Sequence, residues 1–459
     1  MNEKKLHRAV SCQLSAVSRT ALVLAGMISW ATCAAAQTGG LTLRQALERA
    51  LAQAPEIAGA RAEAADAAAG ARTAAASFSP QAFATTTPGY SSGLPVQVAG
   101  QVPAIFGLEL HQSIYDPVRR AEALEAQARA QGLDAAAARS SATAARALIL
   151  AYGRNRADRA LADNARTALE AREAMARRVA ALASEGRRTQ LELEEADLAV
   201  ARAKQTLVDR ESEFDLDRLE LAHLIDWKNG DVPAPAEDPL GVLPAVFPGD
   251  SLAAATAADP ELAALAHQAD SLDRAAYLQK RAWLPTIQGE ARYLRLADYN
   301  NFDQYFVKFK NDDIAVGVSV VIPLWTGGRL MHGEAAAGAR LEKVRADRRL
   351  RERDLELSVR RAEIELKRSE SQAQLASRAL AAAREALRVA QALAGEGRGE
   401  ADDVDLRQLE LSHAQDDRIR AEQGVLAART TLLDLRGDLP AALLSPDGSR
   451  KDPASSPSR

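Results

Sequence analysis

Two periodicities take turns along this chain. Over residues 42–77, 117–185, 190–225, 251–283, 327–395 and 400–435, apolar side chains recur at three and four residues, which predicts helices. Leu161, Ala165, Ala168, Met175, Val179 and Leu182 follow spacings of four, three and seven, the mark of a coiled-coil seam. The segments 117–185 and 327–395 have no proline after their first residues, and each is about 100 Å long if straight. Each turns at a glycine, Gly186 or Gly397. The return helices are shorter, so 42–77 and 251–283 must cover the remaining length. Two short helices stacked end to end then match one long one.

In two windows, 78–115 and 283–325, the period falls to two. From Ile314 to Leu324 the even positions are all large and aliphatic, and the odd ones are mostly small. Ala104, Phe106, Leu108, Leu110 and Ile114 share one face of a second strand, with Gly107, Glu109, His111 and Ser113 on the other. Between 286 and 295, Gln288, Glu290 and Arg292 alternate with Ile287, Ala291 and Tyr293. A strand near 81–90 alternates weakly. The same windows hold 13 of the 19 aromatic residues.

The pattern also repeats at about 210 residues. Phe106-Gly107 matches Val316-Gly317, Ile114-Tyr115 matches Leu324-Trp325, and Glu185-Gly186-Arg187 matches Glu396-Gly397-Arg398 one residue out of step. The chain reads as a duplication: a first repeat over 37–228, a Pro-rich linker over 229–249 and a second repeat over 250–439. A tail at 440–459, rich in proline and serine, is expected to be disordered.

Composition narrows the class. The chain has 459 residues, 26% charged and only 4% aromatic, with about 100 alanines. Alanine with charges of both signs suits long helices packed closely side by side, not a compact α/β enzyme. A net charge of −4 provides no basic field for nucleic acid. Lys4, Lys5, Arg8 and Arg19 precede the apolar run 21–30 and then Ala34-Ala35-Ala36, so residues 1–36 read as a secretory signal. Both cysteines, Cys12 and Cys33, fall inside it, with lipid attachment at Cys33 left open. The mature chain then has no disulfide and no thiolate metal site.

After Gln37 no apolar run is long enough for a spanning helix, but a spanning β-strand needs only about ten residues. Aromatics beside strands with an unburied apolar face are what an outer-membrane barrel places at its interfaces. Four strands cannot close a barrel, and an open edge in lipid would leave backbone groups unpaired. Several chains must therefore share one barrel. A soluble periplasmic coiled-coil scaffold or adaptor is the alternative. It leaves the strand windows without a role.

Enzyme chemistry finds no footing. There is no phosphate-binding glycine loop, no Gly-x-Ser-x-Gly elbow and no His-Glu-x-x-His, and His111, His223, His267, His332 and His413 are scattered. No cofactor is expected.

Three stretches carry a family resemblance: 43–56, ending Ala54-Pro55-Glu56; Ala282-Trp283-Leu284-Pro285; and 316–329, ending Thr326-Gly327-Gly328-Arg329. In this order they resemble the TolC-like outer membrane efflux protein family. The resemblance covers the mature chain to about Leu439. It implies a mainly α fold with a β-barrel segment, in which a homotrimer combines a twelve-stranded outer-membrane barrel with a twelve-helix periplasmic tunnel. It also implies a periplasmic adaptor (membrane fusion) protein, an inner-membrane transporter and outer-membrane lipid as partners. The implied role is the exit duct of a tripartite pump or type I secretion machine.

Within that frame Glu109, His111, Ser113, Gln288, Glu290, Arg292, Gly317 and Ser319 are expected to face the lumen. Asp403-Val404 falls where the family has an aspartate-valine pair near its gate. Asp402, Asp403 and Asp405, with Glu192 at the matching place in the first repeat, could form carboxylate rings. They could equally be acidic residues favoured at a helix start. At the adaptor-docking tips Gly186-Arg187 and Gly397-Arg398 depart from the family's usual leucine after glycine, and a plain helix cap with a solvated arginine is the other reading.

Overall fold

A computed structural model describes residues 40–86, 104–228, 231–245, 251–296, 312–396, 398 and 401–439. The signal at 1–36, Gly397, the tail at 440–459 and the aromatics Tyr90, Tyr299, Phe302, Tyr305, Phe306 and Phe309 lie outside them. In chain order the elements are α1 (Leu43–Gln53), α2 (Pro55–Ala76), β1 (Gln81–Thr85), β2 (Ala104–Tyr115), α3 (Pro117–Ser184), α4 (Gln190–Leu224) and α5 (Pro239–Val242). The second repeat follows with α6 (Ser251–Ala258), α7 (Pro260–Gln279), β3 (Thr286–Leu296), β4 (Asp312–Val321), α8 (Arg329–Gly395) and α9 (Ala401–Leu435).

Local chemistry sets these boundaries. Thr42 and Gln45 close a capping box on α1, and Thr189 and Glu192 close another on α4. Asp116 accepts from the Arg119 N–H at 3.0 Å ahead of Pro117, which starts α3. The predicted helices over 42–77 and 251–283 are each broken once. Ala54 (ψ 119°) and Asp259 (ψ 111°) turn extended because the prolines after them crowd the helical conformation. The fourth strand stops at Val321, short of the expected 324, since Pro323 has no N–H for a ladder.

The helices form one layer. From the sheet downward, α2, α3, α7 and α8 pack in that order; beyond the middle, α4, α3, α9 and α8 do. The short helices thus stack end to end beside the two long ones. Midway, Leu43, Leu47, Leu148, Tyr152, Leu221, Val359, Leu426 and Leu432 build the main core, to which both repeats contribute. Gly153 belongs there for its size: a Cβ at this position would collide with Leu426 Cδ2. The linker is more ordered than its prolines suggest. Its described part bridges Leu41 to Pro235, forms α5 and buries Val232 and Leu243 in the core.

The four strands form one antiparallel sheet in the order β1-β2-β3-β4, so β1 and β4 have bare edges. The helical layer likewise has two edges in its lower half, α4 and α8. Exposed Leu191, Leu198, Leu216 and Leu219 mark the first, and Leu350, Leu357, Ile364 and Leu375 the second. Among the described residues no helix is long and apolar enough to cross a membrane.

Candidate conduit and periplasmic tip

Strand register sorts the sheet into two unlike faces. Glu109 lies opposite Arg292, His111 opposite Glu290 and Ser113 opposite Gln288; Gln288 in turn pairs with Ser319 and Glu290 with Gly317. All eight residues expected at the lumen therefore share one face. Asp313 is on that face too, 3.5 Å from Arg292. The other face carries Leu108, Leu110, Ala291, Tyr293, Ile314, Val316, Val318 and Val320. Its large aliphatic residues are bare, Val316 at 80% exposure. Just beyond the ends of the strands, Trp283, Leu324 and Trp325 are exposed as well. An apolar band bordered by tryptophan is the outside of a lipid-embedded sheet.

Phe83 departs from this division. It sits opposite Glu109 on the polar face, its ring 6.1 Å from that of His111. Weak alternation in β1 gave no sequence signal for it. His111 also contacts Glu109 at 3.4 Å.

At the far end of the helices the first tip is a Schellman turn. The Arg187 N–H reaches Leu182 O at 2.9 Å and the Gly186 N–H reaches Ala183 O at 3.0 Å, with Gly186 at φ 74°. At the second tip the Arg398 N–H repeats the outer bond, to Leu393 O at 2.9 Å. Arg187 and Arg398 are largely solvated and, among the described residues, pair with their neighbours Glu185 and Glu396. At the first tip the geometry is that of a glycine cap, Gly186, followed by a solvent-facing arginine, Arg187.

The acidic run beside the tips divides. Asp402 meets Arg178 of α3 at 3.5 Å and Arg188 of the first tip at 3.2 Å, and Asp405 also pairs with Arg178. Asp403 turns away to Arg407 at 3.4 Å. Glu192 is 2.8 Å from Arg188. The Thr189 backbone N–H, then Arg188 and the Thr189 hydroxyl, hold the Glu192 carboxyl down at about 2. Arg178 and Arg188 thus gather three of the four expected acids. Nothing in the charge pattern along the helices singles out these two arginines among so many.

Among the described residues no group of histidines and acids is placed to hold a metal ion.

Comparison with known proteins agrees with this layout. Residues 252–438 match the family described as outer membrane efflux protein. The outer membrane protein VceC of Vibrio cholerae has a similar structure, with 18% identity, 86% of this chain and 96% of that chain covered, and a TM-score of 0.65. CusC, described in terms of folding and transmembrane channel formation, gives 15%, 89%, 95% and 0.71. The MtrE outer membrane channel of Neisseria gonorrhoeae, in its open state, gives 18%, 89%, 91% and 0.64. No curated protein matches the sequence significantly.

Proposed function

We propose that this chain, a TolC-like outer membrane efflux protein by its second-repeat match and its fold, works as a homotrimeric exit duct. One observation carries the reading: a four-stranded sheet with two bare edges, one apolar exposed face and one polar face. Three copies joined edge to edge, β1 to β4, make twelve strands and leave no backbone group unpaired in lipid. The same symmetry brings the apolar row on α4 against the row on α8 of the next copy. Glu109, His111, Gln288, Glu290, Arg292 and Ser319 then line a polar bore through which cargo passes without chemistry.

The tips would receive a periplasmic adaptor, with Arg187 and Arg398 offering charge in place of an apolar knob. An inner-membrane transporter, in a tripartite pump or a type I secretion system, would supply the energy. Arg178 and Arg188 hold the closed end by pairing Asp402, Asp405 and Glu192. When these pairs part, the freed carboxylates form rings that favour cations. A soluble periplasmic scaffold would have to leave Val316, Val318 and Trp325 in water, a contiguous patch that soluble proteins avoid.

Envelope fractionation with unheated gels tests the assembly. The expected result is a heat-sensitive trimer in outer membranes that conducts ions in planar bilayers. A detergent-independent, non-conducting monomer would overturn the reading. D402A/D405A should raise conductance and reduce cation selectivity; a current identical to wild type would remove the gate from this position.

A further inference from the structure

The two repeats meet along one seam, where α3 runs antiparallel to α9, and its chemistry changes with height. At the upper end of the seam, beside the main core, Asp434 lies between Arg139 and Arg146, at 3.7 and 3.8 Å. Next come apolar contacts: Leu148, Ile149 and Tyr152 of α3 join Leu426, Leu432 and Leu433 of α9 in the main core. At the tip the rung is ionic, Arg178 with Asp402 and Asp405. Lower down, the remaining apolar cluster belongs to one hairpin alone: Leu380 and Leu387 of α8 with Leu411 of α9.

Asn164 stands at the change. Its buried side-chain amide donates to Ser412 O at 2.8 Å and to Asp416 Oδ1 at 2.6 Å. The Ser412 hydroxyl returns a longer bond of 3.5 Å to Asn164 O. One side chain of α3 thus binds both backbone and side chain of α9. A groove of about 510 Å3, lined by Asp163, Thr167, Arg384 and Gln415 together with Leu380 and Ile419, opens beside it. The tip ion pairs are part-buried and each gives up one contact on parting, whereas the Asn164 amide loses a backbone and a carboxylate partner together.

We infer that Asn164 is the positioning residue on which the second hairpin pivots when the tip opens. The inference rests on the gate reading above and adds to it the point where parting stops. Below Asn164 the seam can exchange its ion pairs for water; above it, opening would have to tear the shared core. The fourteen residues from Asn164 to Arg178 make a lever of about 21 Å, against about 38 Å if the pivot retreats to Gly153. For the same tilt the tip then sweeps an arc nearly twice as wide.

The test uses the full-length trimer in planar bilayers. N164A alone should keep wild-type conductance, because the arginine pairs still hold the tip. Added to D402A/D405A, it should raise conductance by about twofold over that double variant, following the lever length. N164D should act like N164A, since it faces Asp416 with like charge. N164D/D416N returns the bond between positions 164 and 416 with donor and acceptor reversed but leaves Ser412 O without its donor, so it should bring the current part of the way back. Trimers that assemble on unheated gels yet show no difference with and without N164A on the D402A/D405A background overturn the pivot.

The gate reading fails separately, if D402A/D405A is as quiet as wild type. In that event the pivot is still read from R178C/D402C, because the mature chain has no other cysteine by the signal assignment. Its cross-linking yield should fall when N164A is added, and an unchanged yield counts against the pivot. If N164A does not assemble, N164D against N164D/D416N carries the same comparison.

Discussion

Tyr152, fully buried, donates its phenolic hydrogen to the backbone carbonyl of Leu41 across 2.8 Å. The same oxygen accepts from the Glu237 N–H at 3.3 Å. One hydroxyl therefore ties the start of α1, the middle of α3 and the linker between the repeats. Y152F keeps the ring packing and loses both bonds. It should lower stability by about 1–2 kcal/mol, visible as a lower melting temperature of the solubilised protein. An unchanged melt would mean that water replaces the hydroxyl.

The two sheet faces predict opposite responses to one substitution. V318K puts a charge on the apolar face and should cost about 2–4 kcal/mol near the bilayer midplane, reducing trimer recovered from membranes. S319K, one residue along, points to the polar face and should leave assembly intact while shifting ion selectivity toward anions. Equal recovery of the two variants would contradict the face assignment.

Asp158 of α3 is raised to about 7 by burial first, then by its hydrogen bond to Asp217 of α4 and by the charges of Asp217 and Glu213, against Arg210. The sign follows from linkage. Between the ordinary value of 3.8 and about 7 the folded protein holds a proton that the unfolded chain releases. Stability is therefore lost as pH rises through that window. D217N should flatten the dependence and make the protein more stable than wild type at pH 8, read from melts at pH 5 and 8. A wild-type slope in D217N would show that the pair is not the source.

Glu192 runs the other way. Its carboxyl is held at about 2 by the Thr189 N–H, with help from Arg188 and the Thr189 hydroxyl. What it contributes to the start of α4 is present above the ordinary value of 4.5 and is lost as pH falls toward 2. Amide exchange in the first turn of α4 should accelerate on acidification in wild type. In E192A it should already be fast at neutral pH, whereas E192Q, like Gln45 on α1, should keep the cap and lose only its pH dependence. Slow exchange in E192A would assign the cap to Thr189 alone.

Periodicity made the long elements legible. The ends of α3, α4, α8 and α9 fall within two residues of the sequence reading, because glycine, proline and caps act locally. That the eight polar-face residues lie on one side of the sheet was legible for the same reason: a pleated strand permits only two faces. What the pattern could not convey was partner choice between distant segments. Asn164 looks like any polar residue on a helix rich in them, and only the approach of α9 gives it a role. Arg178 and Arg188 are two among dozens of basic residues. Pro55 and Pro260 were visible, but the breaks they cause were smoothed over by apolar periodicity on both sides. Phe83, on a strand with little alternation, was unassignable without its neighbour His111.

The fixed register between α3 and α9 restricts how such a chain can change its size. Inserting one turn into α3 would shift every rung beyond it, setting Asn164 and Arg178 against the wrong residues of α9. The return helix α4 and the long α8 must end at the same level, so they would need matching insertions. Growth or shrinkage by gradual, single-site insertion is thereby closed off. Descendants that reach across a wider or narrower envelope must add or remove whole heptads in four helices together, which makes reach a quantised, co-inherited trait.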